Sequence, residues 1–284
     1  MCVDPNSSSP TVVHVISGGN DVGRVTSLGD NVFVVRYKNQ KKIEVYDSKT
    51  FTLQRYITVP GPGDPSRLAA CPHNNCLYAS DWSNSSVHRV QLPGNNAMEW
   101  SVARRPVGLS VNSEHNLLVV SSGDDAKLQI FTTHGTLLQT IRLRAEIASP
   151  VHAVQLHSGQ FLVSHVDHLH RVCLVRQGDS AVVRSYGGHE GSRLTQMNGP
   201  QGLAVDREGR VLVTDQGNNR LLVIDQSLSS AHEMSVCVDG GLKLPEILWY
   251  DQSRRRLYIA ERHKERRVIV IDNLEDFTVA QVNA

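Results

Sequence analysis

The densest potential chemistry in this chain is the run His165-Val-Asp167-His168-Leu-His170. Three imidazoles and a carboxylate this close together can ligate zinc or a related ion. All of them fall in one short segment, which suits a chelating tract better than a catalytic centre, so no metal is assigned and His165, His168 and His170 stay as metal candidates. Cys71 and Cys76 flank Pro-His-Asn-Asn and include His73. Two thiolates and one imidazole leave a zinc site one ligand short, and facing positions across a hairpin turn explain the cysteines better. The five cysteines (Cys2, Cys71, Cys76, Cys173, Cys237) are odd in number and scattered. They read as reduced thiols rather than a disulfide framework. No Gly-x-Ser-x-Gly elbow and no phosphate-binding glycine motif occurs. Gly187-Gly188-His189-Glu190-Gly191 is glycine-rich, but no helix pattern follows it.

A second kind of chemistry is electrostatic. Lys and Arg number 29 and Asp and Glu 28, giving a net charge of +1. The chain is not basic overall, but its charges can be segregated in space. Arg36, Tyr37, Lys38, Lys41 and Lys42 form one basic cluster. Arg262, Lys264, Arg266 and Arg267 form another, with Arg67, Trp82, Arg104 and Arg105 between them in sequence. Cationic side chains neutralise phosphates, and exposed aromatics or guanidinium planes stack on unpaired bases. The same combination suits an acidic protein segment.

The elements that must position these residues are strands. Of 284 residues 40% are apolar and 20% charged, a globular composition. The longest apolar runs, such as Leu117–Val120 and Leu221–Ile224, fall far short of the roughly 20 residues that span a bilayer. From Asn198 to Asp225 the chain reads as strand, turn, strand, turn, strand, with Val, Leu and Ile in the strands and Asp, Gly and Asn in the turns. A fourth strand is expected over Met234 to Val238. The same grammar recurs five more times. Aligned at the end of the second strand (Arg36, Asp81, Ser122, His165, Asp215, Glu261), the repeats are spaced by 45, 41, 43, 50 and 46 residues. That period, with four short strands in each unit, predicts an all-β six-bladed β-propeller of antiparallel strands. Asp206, Asp215, Asp225, Asp251 and Asp272 recur at strand ends and predict Asx-turns rather than calcium sites.

The expected organisation is a flexible leader over 1–10 and a single propeller over 11–284, with blades near 23–61, 62–102, 103–145, 146–192, 193–240 and 241–284. Strands from the termini close the ring. Thr11–Ile16 and Phe277–Val282 both suit the last strand of blade six, and the N-terminal one is favoured. In such a ring the second-to-third-strand turns and the blade-to-blade links share one face, here called the top. Closure makes blades six and one neighbours, so the two basic clusters should converge there.

The Asn198–Asp225 unit resembles an NHL repeat: Gly199-Pro200 precede the inner strand, Ala204-Val205-Asp206 end it, Thr214-Asp215 end the second, and Asn219-Arg220 open the third. Blade three keeps Pro106-Val107-Gly108-Leu109, whereas blade four has His165 and blade one Arg36 where Asp is usual. The layout is similar to the C-terminal NHL propellers of tripartite-motif (TRIM-NHL) proteins. That resemblance implies a partner-binding top face, and RNA binding in some members. It also implies that any ubiquitin-ligase activity would lie outside this chain. The resulting expectation is a non-catalytic module without cofactor. It recognises single-stranded RNA through Arg36, Tyr37, Lys38, Lys41, Lys42, Arg67, Trp82, Arg104, Arg105, Arg262, Lys264, Arg266 and Arg267. A protein-interaction platform serving a ubiquitin ligase is the alternative, and a metal-dependent propeller lyase or lactonase the third reading. No membrane contact and no small-molecule substrate are expected. Met1–Pro10 shows no secretory signal, so the cytoplasm is expected, and a closed ring with no long free strand edge is expected to be a monomer.

Overall fold

The computed structural model describes residues 10–17, 22–36, 42–60, 65–93, 96–147, 149–263 and 267–274. Its six antiparallel four-stranded sheets are the blades of a propeller. Blade one comprises β2 (Val22–Leu28), β3 (Asn31–Arg36), β4 (Lys42–Asp47) and β5 (Leu53–Thr58), after β1 (Thr11–Ile16). Blade two holds β6 (Pro65–Cys71), β7 (Cys76–Asp81), β8 (Ser86–Gln91) and β9 (Ala97–Ser101). Blade three holds β10 (Pro106–Val111), β11 (Leu117–Ser121), β12 (Lys127–Phe131) and β13 (Leu137–Arg142). Blade four holds β14 (Pro150–Gln155), β15 (Phe161–His165), β16 (Arg171–Val175) and β17 (Val182–Gly187). Blade five holds β18 (Pro200–Val205), β19 (Val211–Asp215), β20 (Arg220–Ile224) and β21 (Ala231–Met234). Blade six holds β22 (Pro245–Asp251), β23 (Arg256–Glu261) and β24 (Val268–Asp272). Its fourth strand is β1, which pairs with β24 from Thr11↔Asp272 to Ile16↔Val268 and closes the ring. The competing segment 277–282 lies outside the described residues, as does the leader over 1–9.

Six hydrophobic cores sit at the six blade interfaces. Phe33, Ile43 and Ile57 of blade one meet Leu77 and Val90 of blade two. Val25 and Val34 of blade one meet Tyr258 and Val270 of blade six. The middle strands are therefore buried on both faces and read as continuous apolar runs, such as Val32–Val35, rather than alternating ones. The outermost strands face bulk solvent: β5 and β13 are exposed at most positions.

Blade five departs from expectation at its fourth strand, which runs Ala231–Met234 rather than Met234–Val238. The cause is a tight turn. The Asp225 carboxylate accepts from the Ser229 N–H (2.8 Å) and from the Ser227, Ser229 and Ser230 hydroxyls, so the chain reverses early. Asp206 and Asp251 likewise accept turn N–H groups, whereas Asp272 holds Arg256.

All six innermost strands carry a β-bulge at their top end: between Val22 and Arg24, Pro65 and Arg67, Pro106 and Gly108, Pro150 and His152, Pro200 and Leu203, and Pro245 and Ile247. Proline lacks the N–H a ladder needs, so it is tolerated at a strand start beside a bulge. The bulge re-aims the next side chains. Arg24, Arg67, His152 and Glu246 thereby line the central channel. Among the described residues no helix is long and apolar enough to cross a membrane.

Candidate binding site at the channel mouth

The top of the channel opens into a cavity of about 440 Å³ between blades six, one, two and three. Its lining includes Arg24, Ser66, Arg67, Trp82, Val107, Glu246 and Arg262. Two arginines share one carboxylate at its base. Arg24 lies 3.3 Å and Arg67 3.7 Å from Oε1 of Glu246. Burial pushes the Glu246 carboxyl up, but Arg24, Arg67 and Arg262 outweigh it and hold the group ionised, below its ordinary pKa. These arginines also staple the ring. Arg24 Nε donates to the Ser66 carbonyl of the next blade, and Arg67 Nε to Val107 O at 2.5 Å. The charged lining is thus three guanidiniums against one carboxylate, a net cationic mouth.

Trp82 stands at the rim with 43% of its surface exposed. The Arg105 guanidinium carbon lies 4.1 Å from its ring centroid, a cation–π stack. Arg262, in the lining of the mouth, is exposed, as is Arg104, whose guanidinium lies by the Gly123–Asp125 turn of blade three.

The other expected residues fall elsewhere. Arg36 is buried and bonded to the Glu44 carboxylate at 2.7 Å and to the Tyr46 hydroxyl. Arg267 Nε donates to Glu261 at 2.6 Å, and its other nitrogens reach the carbonyls of Asp239 and Gly241. Arg220 repeats this design on Asp215, at 2.8 Å, and adds the Ser192, Arg193 and Gln196 carbonyls. Arg220 and Arg267 thus tie each blade to its incoming link. Lys42 is exposed on the outer part of blade one, 5.7 Å above the Tyr56 ring. Tyr37, Lys38, Lys41, Lys264 and Arg266 lie outside the described residues. The structure brings together Arg67, Trp82, Arg105 and Arg262, and it adds Arg24 and Glu246.

The histidine cluster disperses, correcting the candidate metal tract. His165 is fully buried and accepts a hydrogen bond from Arg171 Nε at 2.7 Å. It pairs in register with Arg171 rather than with His170. Burial, then Arg171, lowers its pKa to about 4. His170 Nδ1 accepts the Gly199 N–H at 2.7 Å, and His168 points to solvent beside Asp167. Among the described residues no three His, Cys, Asp or Glu side chains are placed to hold a metal. Cys71 and Cys76 do face each other across their hairpin, inside the core between blades two and three.

His152 sits inside the blade-four inner strand. Its Nδ1 accepts the Leu203 N–H and its Nε2 lies 3.1 Å from Leu109 O, which fixes the neutral tautomer with the proton on Nε2. Burial lowers its pKa to about 4. Both ring nitrogens serve to join blades three, four and five.

The NHL repeat family model matches residues 197–224. Blade five is an NHL repeat. Gly202 of this blade has a physical role: a Cβ there would lie 2.7 Å from the Leu248 nitrogen of blade six. No curated protein sequence matches the chain significantly. Among solved structures, a streptogramin B lyase is 11% identical, over 90% of this chain and 97% of that one, with a TM-score of 0.63. Catalytically inactive virginiamycin B lyase from Staphylococcus aureus with quinupristin is 11% identical, over 89% and 82%, TM-score 0.64. Kuenenia stuttgartiensis hydrazine synthase is 16% identical, over 92% and 79%, TM-score 0.65. At such identities the likeness is one of fold alone.

Proposed function

We propose that this propeller is a non-catalytic binding module whose ligand is single-stranded RNA, held at the top-face mouth of blades six, one, two and three. A propeller with an NHL repeat supports a binding or interaction module in general. The observation that carries the finer reading is the Arg105–Trp82 stack on the rim of a cavity lined by Arg67 and Arg262. Guanidinium groups at the mouth suit phosphates, and the planar Arg–Trp surface suits an unpaired base. The engagement of both His152 nitrogens within the ring favours a binding role over a catalytic one. The test is retention of a randomised single-stranded RNA pool on filters at low and moderate salt. Retention should fall with salt and be lost in an Arg105→Glu, Arg262→Glu double variant.

The NHL character of blade five favours a second reading, a protein-interaction platform of the tripartite-motif kind. It predicts that the same double variant loses an acidic peptide and that no RNA is retained even at low salt.

A further inference from the structure

Below the Arg24–Glu246–Arg67 cluster the channel widens into a chamber of about 1340 Å³ that opens on the bottom face. The cluster lines both this chamber and the top cavity, at the upper end of the one and the base of the other. The chamber wall is unusual in its apolar content. Most apolar side chains of the blades are sealed in the interface cores. Val111, Val154, Val205, Ile247, Trp249 and Tyr250, however, are only partly buried and all line this one space. Partly exposed apolar groups around one concavity mark a ligand site more often than a bare solvent channel. The volume somewhat exceeds the roughly 300–1,000 Å³ of ordinary small-molecule pockets.

The wall is also preorganised. Trp249 Nε1 donates to Ser27 Oγ at 2.9 Å, and Ser27 Oγ donates to Asp251 Oδ2 at 2.9 Å, which locks the indole in place. At its upper end the charged groups are two guanidiniums, Arg24 and Arg67, and one carboxylate, Glu246. His152 beside them is neutral, with its pKa at about 4. An apolar wall leading to a net cationic end selects a molecule with an apolar body and an anionic head.

We propose that the lower channel binds a small amphipathic organic anion, which enters from the bottom face with its anionic head toward the Arg24–Arg67 end. This site is separate from the top-face mouth and is of a kind the repeat pattern offered no reason to expect.

The probe is anilinonaphthalene sulfonate, which carries an apolar body and one anionic group. It is titrated into the folded full chain and followed by energy transfer from tryptophan. Phenylnaphthylamine, its uncharged counterpart, is the comparison. The proposal expects a single saturable site for the sulfonate, with the uncharged probe at least about tenfold weaker. Val205→Trp and Val111→Trp each fill the chamber from a different blade, so one remains informative if the other fails to fold. Either should weaken the sulfonate at least about tenfold, and Lys42→Glu on the outer surface of blade one should leave it unchanged. Many weak sites, indifference to both filling variants, or equal binding of the uncharged probe would overturn the proposal.

Discussion

Arg220 and Arg105 are both arginines beside top-face turns, yet they stand in opposite circumstances. Arg220 lies at the start of a third strand. It meets the fully buried Asp215 and three carbonyls of the incoming link. Arg36 and Arg267, on their own carboxylates, belong with it. Arg105 lies in the link before an inner strand, on the exposed Trp82 beside the net cationic channel mouth. The difference teaches that charge density along the chain does not locate a binding face in a propeller. What matters is the position in the blade. Arg36, Arg220 and Arg267 are matched by carboxylates of their own blades, whereas Arg24, Arg67 and Arg105 stand around the channel mouth.

The sharpest way to break this contrast is to remove one member of each class. Arg220→Ala leaves Asp215 buried without its guanidinium and should lower unfolding free energy by about 3–5 kcal/mol, read from urea unfolding. Arg262→Ala, at an exposed site, should cost less than about 0.5 kcal/mol. Equal losses would dissolve the distinction.

Charge reversal at the mouth comes next. Arg105→Glu with Arg262→Glu should reduce single-stranded RNA affinity on the order of a hundredfold at low salt and flatten the salt dependence. Trp82→Ala removes the stacking surface without changing charge. It should weaken binding by about 1–3 kcal/mol while leaving the salt slope unchanged. A changed slope with unchanged affinity would show Trp82 to be only a support for Arg105.

The mildest effect is a pH effect on the ring itself. His152 and His165 each titrate at about 4 in the fold instead of the ordinary 6.5. The unfolded chain therefore takes protons that the folded chain refuses. Stability should be fully present above pH 6.5, fall as the pH drops below it, and go on falling to about pH 4. By about pH 5.5 each imidazole should account for a loss of roughly 1 kcal/mol. In thermal unfolding His152→Gln should flatten this slope, and a slope that stays unchanged would show that His152 does not carry it.

The sequence made the architecture legible because strand period, turn residues and repeat spacing all point the same way. Leu221–Ile224 reads as a strand and is one, and the structure buries it on both faces, as it does Val32–Val35. Of the two segments that suit the closing strand, the favoured Thr11–Ile16 does pair with β24. The mouth was legible only in part. Arg67, Trp82, Arg105 and Arg262 stand out as cations and an exposed aromatic near turns. Arg24 and Glu246 do not, because a bulge that points them into the channel leaves no mark in apolar periodicity. The available signal was the recurring proline of Pro65, Pro106, Pro150, Pro200 and Pro245. Aligning the repeats on it puts Arg67 and His152 at one depth and Glu246 one residue away. The histidine run misleads for the opposite reason. Proximity in sequence within a hairpin sends His165 into the core and His168 to solvent.

The most direct test of the central claim compares three proteins on one randomised single-stranded RNA pool at low and moderate salt. These are the unmodified chain, the Arg105→Glu, Arg262→Glu double variant, and Lys42→Glu on the outer blade-one surface. The account predicts salt-sensitive retention that the double variant loses and Lys42→Glu keeps. No retention by the unmodified chain at low salt, or loss in Lys42→Glu with retention in the double variant, would contradict it.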